Sequence, residues 1–303
     1  MSRFTHASIV RFVIDIPGEL AQAQETYNGA AGRAFIDALP DLAAGFLQRW
    51  RLTLDGPSMN GVSALVLPVV RADGLRAVLK LQLTDEESVG EPVALRVWDG
   101  DGAVRLLDHD PATGTMLLER LDESRMLSGL GDTREAVLVI ARLLAHLTSF
   151  PAPPGLRRLG DIAEAMLERT PRALPRIPDP GVRRIVADCA AAVREVVHEP
   201  GDRLLHWDLH DENVLAADRA DWLAIDPKPL AGDPGFELWP ALDNRFDAAE
   251  VRWRFDAMTD VLGLDRARAR AWTLGRLLQN ALWDVEDGRP VEDRQLEIAR
   301  LLA

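Results

Sequence analysis

Apolar and polar positions along the chain change their rhythm once. From about Leu52 to Leu121 the apolar residues come in short runs, "LTLDGPSM", "SALVLPVV", "RAVLKLQL", "AVRLLDHD" and "TMLLERL", with turn chemistry at "RADG" and "PATG". Short apolar runs joined by Asp-Gly and Thr-Gly turns predict antiparallel hairpins. One helical segment, "EPVALRVW", interrupts them. After Leu121 the spacing turns helical, with Ala136, Ile140, Leu143, Leu144 and Leu147 on one face. Helices are expected around 158–170 and 181–198, separated by the Pro-rich break "PRALPRIPDPG". The helical period returns in Leu274, Leu277, Leu278, Ala281 and Leu282, and again over 296–302. Before Pro57 the chain reads as a loop followed by a helix near Asp41 to Trp50, without a functional signal. Inside the helical half lies one β-like island, "RLLHWDLHDENVLAADRADWLAIDPKP", and no internal repeat or low-complexity tract is visible.

Composition narrows the class. With 303 residues, 47% of them apolar, and eight Trp, the chain can bury a large core and is globular rather than fibrous or disordered. A formal net charge of −13 repels nucleic acid and anionic membranes and mildly favours a cationic partner. The single cysteine, Cys189, falls in a helical apolar series with Val182, Ile185, Val186 and Val193, so it reads as a small core side chain. The longest stretch without a charged residue, Gly56 to Val70, is broken by two prolines and too short to span a bilayer. The N-terminus shows no apolar run suited to a signal peptide, and a cytoplasmic protein is expected. Of the 35 basic residues only Lys80 and Lys228 are lysines, the rest being arginines. In such a chain each lysine marks a place where a compact ammonium suits better than a planar fork.

The island concentrates the chemistry. "VLAA" and "WLAI", joined by the polar turn "DRAD", predict a hairpin. It would set His206, Asp208 and Asn213, ahead of the first strand, beside Asp226, which follows the second. One carboxylate and one amide oxygen are hard ligands of the kind that hold Mg²⁺ together with substrate phosphates, and a second carboxylate is left as a base. The competing reading is a transition-metal cluster of His206, Asp208, His210, Asp211 and Glu212.

His206-x-Asp208-x4-Asn213 followed by Asp226 has the catalytic-loop and metal-loop spacing of the protein-kinase fold. The wording "HWDLHDEN" resembles the catalytic loop of the aminoglycoside phosphotransferase family, usually HGDxHxxN. "WLAIDPKPLAGDPGFELWPALDNR", "EPVALRVWDGDGAVRLLDHDPATGTMLLERL" and "PAPPGLRRL" resemble its streptomycin 6-kinase and hydroxyurea phosphotransferase branch. The resemblance runs from about residue 20 to the C-terminus, and Trp207 departs from it where most relatives carry Gly. It implies an α+β, bilobal protein-kinase-like fold. Residues 1–121 would form a small antiparallel β lobe that binds nucleotide, with an N-terminal helical extension over 1–51 and one key helix. Residues 122–303 would form a larger, mainly helical lobe carrying the catalytic hairpin and the acceptor site.

The small sheet then acquires functions. Lys80 in "AVLKL" sits on a strand from which a point charge reaches phosphates; on most proteins it would be an edge-strand surface lysine. The resemblance selects Glu91 as the helix glutamate that holds it, with Ser88 completing a capping box and Glu87 as competitor. Pro92 belongs in a first helical turn, which starts the helix near Ser88. The turn "SMNGVS", with Ser58, Asn60 and Gly61, is expected over the phosphates, and the backbone from Glu119 to Leu121 against adenine.

The implied reaction is phosphoryl transfer from ATP, with Mg²⁺, to a hydroxyl of a small and cationic acceptor such as an aminoglycoside or aminocyclitol. Asp208 is the base, Asn213 and Asp226 hold the metal, and His206 braces the loop. Lys228 is placed either to reach a phosphate or to brace "DPKP". Acceptor candidates are Asp233, Glu237, Asp243 and Asp247, with Trp239 as a stacking face, against the plain alternative of a solvated acidic surface. A metabolic sugar or amino-sugar kinase and a non-catalytic nucleotide-binding module are the competing functions; the complete Lys, Glu, Asp, Asn, Asp set speaks against the latter.

Overall fold

The computed structural model describes residues 14–303. The loop and the lack of a signal-type run expected for the first residues lie outside the described residues. The chain forms two compact units: the described residues up to Thr84 with Leu107–Arg120, and Asp85–Leu106 with Leu121–Ala303.

The first unit opens with α1 (Gly18–Arg49), far longer than the helix expected near Asp41 to Trp50. It is two helical stretches joined where Gly29 takes φ 53°, a left-handed conformation that glycine adopts without a Cβ clash. Then come β1 (Leu52–Leu54), β2 (Met59–Asn60), β3 (Ala64–Arg71), β4 (Arg76–Gln82), β5 (Leu106–Asp110) and β6 (Thr115–Glu119). The sheet order is β1-β3-β4-β6-β5, with β2 also on β3, and the β1–β3, β2–β3, β3–β4 and β4–β6 pairs are antiparallel. Period-two alternation sends Leu65, Leu67 and Val69 of β3 and Ala77, Leu79 and Leu81 of β4 into a core with Leu39, Ala43 and Phe46 of α1. Lys80, between Leu79 and Leu81, therefore lies on the opposite face, in register with Val66 and Met116.

The second unit begins with α2 (Glu91–Trp98), continues with β7 (Asp122–Met126), α3 (Thr133–Leu147), β8 (Arg157–Arg158), α4 (Leu159–Ala173) and α5 (Pro180–Val196), and reaches the island in β9 (Arg203–Leu205), β10 (Val214–Ala216), β11 (Leu223–Ala224) and β12 (Leu230–Gly232). It ends in α6 (Trp239–Asp243), α7 (Val251–Leu262), α8 (Arg266–Glu286) and α9 (Asp293–Leu302). Asp132, Asp179 and Asp265 cap α3, α5 and α8 by accepting first-turn N–H groups. The expected hairpin is present as antiparallel β10–β11, with β7 on the other edge of β10; β12 pairs antiparallel with β9 and parallel with β8.

The chain passes into the second unit after Arg120, beside the boundary expected at 121, but Asp85–Leu106 was expected with the small sheet and packs instead with the helical unit. The reason is Trp98, a large buried side chain whose indole N–H donates to Leu147 O at 3.1 Å and whose ring stacks on His206. Val104 and Ala224 N–H groups close a bridge to this segment, and Arg219 donates to the Gly100 and Ala103 carbonyls. Among the described residues no helix is long and apolar enough to cross a membrane.

Cys189 is buried on α5, and burial pushes its thiol up to about 12. A thiol-specific reagent should therefore leave the native chain unmodified and label one thiol per chain in denaturant; rapid labelling of native protein would contradict this packing.

Candidate active site

The candidate catalytic loop runs from the end of β9 to the start of β10, and Asp226 follows β11. Backbone bonds tie the two segments at both ends: Ile225 N–H donates to Asn213 O at 2.9 Å, and Lys228 N–H donates to His206 O at 2.9 Å. The His206 ring is fully buried, with Nε2 3.0 Å from Ile225 O, so Nε2 carries the proton and Nδ1 faces the Asp208 N–H at 3.4 Å. Burial lowers its pKa to about 3, so it is a neutral brace, as expected, and does not act as a cation. Asp208, Asn213 and Asp226 thus belong to one hydrogen-bonded loop system.

The Asn213 side-chain N–H donates to Asp208 O at 2.8 Å. Because the amide nitrogen is committed to the loop, Oδ1 is the group Asn213 has to offer a cation. Asp226 takes φ 57°, its carboxylate is partly exposed, and Lys228 Nζ stands 2.9 Å from its Oδ2. One amide oxygen and one carboxylate fit a hard cation whose other ligands come from phosphates and water. The transition-metal alternative finds no support in the placement of its members: His206 is committed to Ile225 O and Asp211 to Arg245. Among the described residues no three His, Cys, Asp or Glu side chains converge on a common point. Burial raises the Asp208 carboxyl above its ordinary value and Asp226 adds to the rise, while His210, Arg276 and Lys228 oppose it.

Two features of the loop were not legible as function. Trp207 adopts φ 67°, the left-handed region that costs a non-glycine residue about 1 kcal/mol or more. Its N–H donates to both carboxylate oxygens of the fully buried Glu237, at 2.9 and 3.0 Å. Its ring packs near Phe236 and Trp283 with the Arg157 and Arg276 guanidiniums at 4.3 and 4.6 Å from the centroid. The indole supplies packing where a glycine supplies only backbone freedom. Burial pushes the Glu237 carboxyl up to about 7, although the Trp207 and His206 amides pull the other way.

Behind the loop, Asp211 is buried and paired through Oδ2 with Arg245 Nε at 2.6 Å. Arg245 itself has φ 45° and donates to Leu130 O. Arg254, also buried, donates to the carbonyls of Ala241, Asn244 and Arg245, fixing the segment that carries Arg245. Asp211 opens the 3₁₀ turn Asp211–Asn213, so this clamp holds the span between Asp208 and Asn213.

In the first unit, Lys80 is buried on β4. Ser58, Asn60 and Gly61 lie at the β2–β3 hairpin turn, closed by Gly61 N–H donating to Ala64 O. Glu119 ends β6, one residue before the chain leaves that unit, and Leu121 begins the next segment. In the second unit Glu91 is fully buried at the first position of α2. The expected capping box is corrected: α2 starts at Glu91 behind Gly90, and the Ser88 hydroxyl is engaged with Asp85, whose Oδ1 accepts it at 2.8 Å. A Cβ at Gly90 would come within 2.9 Å of the Leu156 side chain and 3.0 Å of the Pro229 ring, so those neighbours would have to shift.

The acceptor candidates have partners within the fold. Asp233 caps Gly235 N and pairs with Arg268 Nε at 2.6 Å; Glu237 is committed to Trp207; Trp239 is buried in α6. Asp243 pairs with Arg294 at 2.7 Å, and Asp247 accepts from Ala249 N. These groups hold their own segments together, because a carboxylate with a nearby guanidinium or N–H is satisfied within the fold.

Two outcomes follow for this loop system. The unfolded chain protonates His206 near its ordinary 6.5 whereas the native chain does so only near 3, so the contribution of His206 is full above 6.5 and is lost as pH falls toward 3. Glu237, raised from 4.5 to about 7, works in the opposite sense: its contribution is present below 4.5 and lost as pH rises through 7. The parent profile sums both, so the comparison is with His206→Gln, whose melting temperature should fall less between pH 6.5 and 5 than the parent's; parallel profiles would remove the buried neutral histidine. For the clamp, Asp211→Asn and Arg245→Met should each lower kcat of the implied phosphoryl transfer roughly tenfold with KM for ATP little changed, and the double variant should be no worse than the poorer single one. Additive losses, or losses in melting temperature alone, would contradict a positioning role.

Comparison with known proteins identifies the family. Residues 49–288 match the family described as aminoglycoside/hydroxyurea antibiotic resistance kinase. The chain is 62% identical over 293 residues to a hydroxyurea phosphotransferase from Kitasatospora aureofaciens, covering 96% of this chain and 86% of that one. It is 59% identical to a streptomycin 6-kinase from Streptomyces glaucescens, covering 93% and 94%. Among solved structures, a choline/ethanolamine kinase family protein from Mesorhizobium loti superposes with a TM-score of 0.61 at 17% identity, covering 86% of this chain and 92% of that one, which supports the α+β protein-kinase-like fold. The chain belongs to the aminoglycoside/hydroxyurea antibiotic resistance kinase family.

Proposed function

We propose that this chain is an ATP-dependent small-molecule O-phosphotransferase that phosphorylates a hydroxyl of a streptomycin-class aminoglycoside. The observation that carries the reading is the loop system in which His206, Asp208, Asn213 and Asp226 are tied by backbone and side-chain hydrogen bonds. Kinases of streptomycin at 59% and 54% identity support the acceptor class. The hydroxyurea phosphotransferase at 62% makes that small hydroxyl compound a second acceptor to test on the same apparatus.

In this reading the acceptor oxygen attacks the γ-phosphorus of ATP, the bond from that phosphorus to the β–γ bridging oxygen breaks, and ADP departs. Asp208 takes the proton that the acceptor hydroxyl loses; burial raises its proton affinity above that of an ordinary carboxylate, which makes it the stronger base. Asn213 Oδ1 and the Asp226 carboxylate would hold Mg²⁺, which supplies neutralisation of the triphosphate charge when bound. Lys80 is assigned to the phosphates and Glu91 to Lys80. The turn with Ser58, Asn60 and Gly61 is assigned to the phosphates, and the backbone of Glu119 and Leu121 to adenine. Catalysis then rests on positioning and charge, without a covalent enzyme intermediate.

Coupled ADP release should show turnover with streptomycin and little with glucose, glucosamine, choline or homoserine. Asp208→Asn should lower kcat by roughly 10²–10⁴-fold with ATP affinity nearly intact, and Asp226→Ala should abolish Mg²⁺-dependent nucleotide binding. Turnover with glucosamine but not streptomycin would point to a metabolic amino-sugar kinase. Parent-like turnover in Asp208→Asn would remove it as the base.

A further inference from the structure

Lys228 has no task in the proposed reaction. It is one of only two lysines in a chain that otherwise uses arginine, and it stands between Pro227 and Pro229 two positions beyond Asp226. Its backbone is pinned: Lys228 N–H donates to His206 O, and Pro229 lies in close contact with Gly90 at the head of α2. From that fixed point Nζ reaches Asp226 Oδ2 at 2.9 Å, with the lysine side chain 18% and the aspartate side chain 33% exposed. The ammonium also favours the charged forms of Asp208, Asp85 and Glu87, against the burial that disfavours each of them. It stands where two loop carboxylates, Asp208 and Asp226, repel each other.

We infer that Lys228 is a resident counter-ion on Asp226, holding with its ammonium the carboxylate oxygen that a divalent cation takes, and giving it up when the site loads. The choice of side chain supports this. An arginine would grip the carboxylate through a planar two-pronged fork, whereas an ammonium on a flexible stem makes a single exchangeable contact. Removing Lys228 should accordingly make the carboxylate a better cation ligand while leaving it less well neutralised in the absence of one.

This inference rests on Asp226 being a cation ligand, and the test separates the two. Mn²⁺ alone is titrated into nucleotide-free full-length protein, with free Mn²⁺ followed by electron paramagnetic resonance. Lys228→Met should bind Mn²⁺ roughly threefold to tenfold tighter than the parent, and Lys228→Arg, with its two-pronged grip, more weakly than the parent. Asp226→Asn should abolish binding in the parent and in the Lys228→Met background. A merely structural lysine would give the reverse sign, weaker Mn²⁺ binding in Lys228→Met along with a lower melting temperature, and that would overturn the inference. Unchanged affinity in Lys228→Met and Lys228→Arg, with Asp226→Asn still abolishing binding, would also overturn it while sparing Asp226 as ligand. Mn²⁺ binding that survives Asp226→Asn would overturn both.

Discussion

The geometry of this site depends on one buried carboxylate. Glu237, with no exposed surface, receives the Trp207 amide on both of its oxygens and so holds the chain in a left-handed turn immediately before Asp208. A buried acceptor of this kind is stabilising only while its donor is present, because either group left alone would bear the full cost of desolvation. The turn, the carboxylate and the neighbouring neutral His206 are therefore mutually dependent, and the backbone of this turn sets the direction of Asp208, the proposed base. Two further contacts extend the hold. Asn213 reaches back to Asp208 O, and Asp211 is gripped from behind by Arg245, whose own segment is fastened through three carbonyls by Arg254.

What could be read in the sequence was the part whose spacing is local. The loop from His206 to Asn213, the β10–β11 hairpin and Asp226 lie within about twenty residues of one another, and turn chemistry and strand alternation place them directly. Lys80 was equally legible, because period two on β4 separates it from the core-facing Leu79 and Leu81. Partners far apart in sequence were not legible. Glu237 and Asp233 look like solvent-facing acids by composition, yet one is tied to an amide 30 residues away and the other to a guanidinium 35 residues away. Nothing in a charge pattern names the partner of a carboxylate, and the chain has acids enough to decorate any surface. A weaker cue did exist for Glu237: it follows Phe236 within a run that is apolar on both sides, an unusual place for a solvated acid.

Two misjudged elements have the same kind of cause. For the long helix α1 the family resemblance implies a helical extension over 1–51, whereas apolar periodicity marks only its C-terminal end, since Gly29 and Pro40 interrupt its period and its first half is rich in Ala, Gln and Glu that carry no clear apolar stripe. Asp85–Leu106 looked like part of the sheet because it lies between its strands in sequence, but Trp98 buries its large ring against His206 and donates to Leu147, and those contacts decide which body the segment joins. The Ser88 hydroxyl likewise found a nearer partner in Asp85 than in the helix it was expected to cap.

The central step is the movement of a phosphoryl group from ATP onto a hydroxyl, with Asp208 as the proposed base. The most direct measurement is mass spectrometry with ³¹P nuclear magnetic resonance of streptomycin recovered after incubation with the chain, ATP and Mg²⁺, beside the Asp208→Asn variant. One phosphoryl group on a streptomycin hydroxyl, formed by the parent and absent with the variant, is the predicted result. Unmodified streptomycin in the presence of a folded, ATP-binding parent, or equal product from the variant, would contradict it.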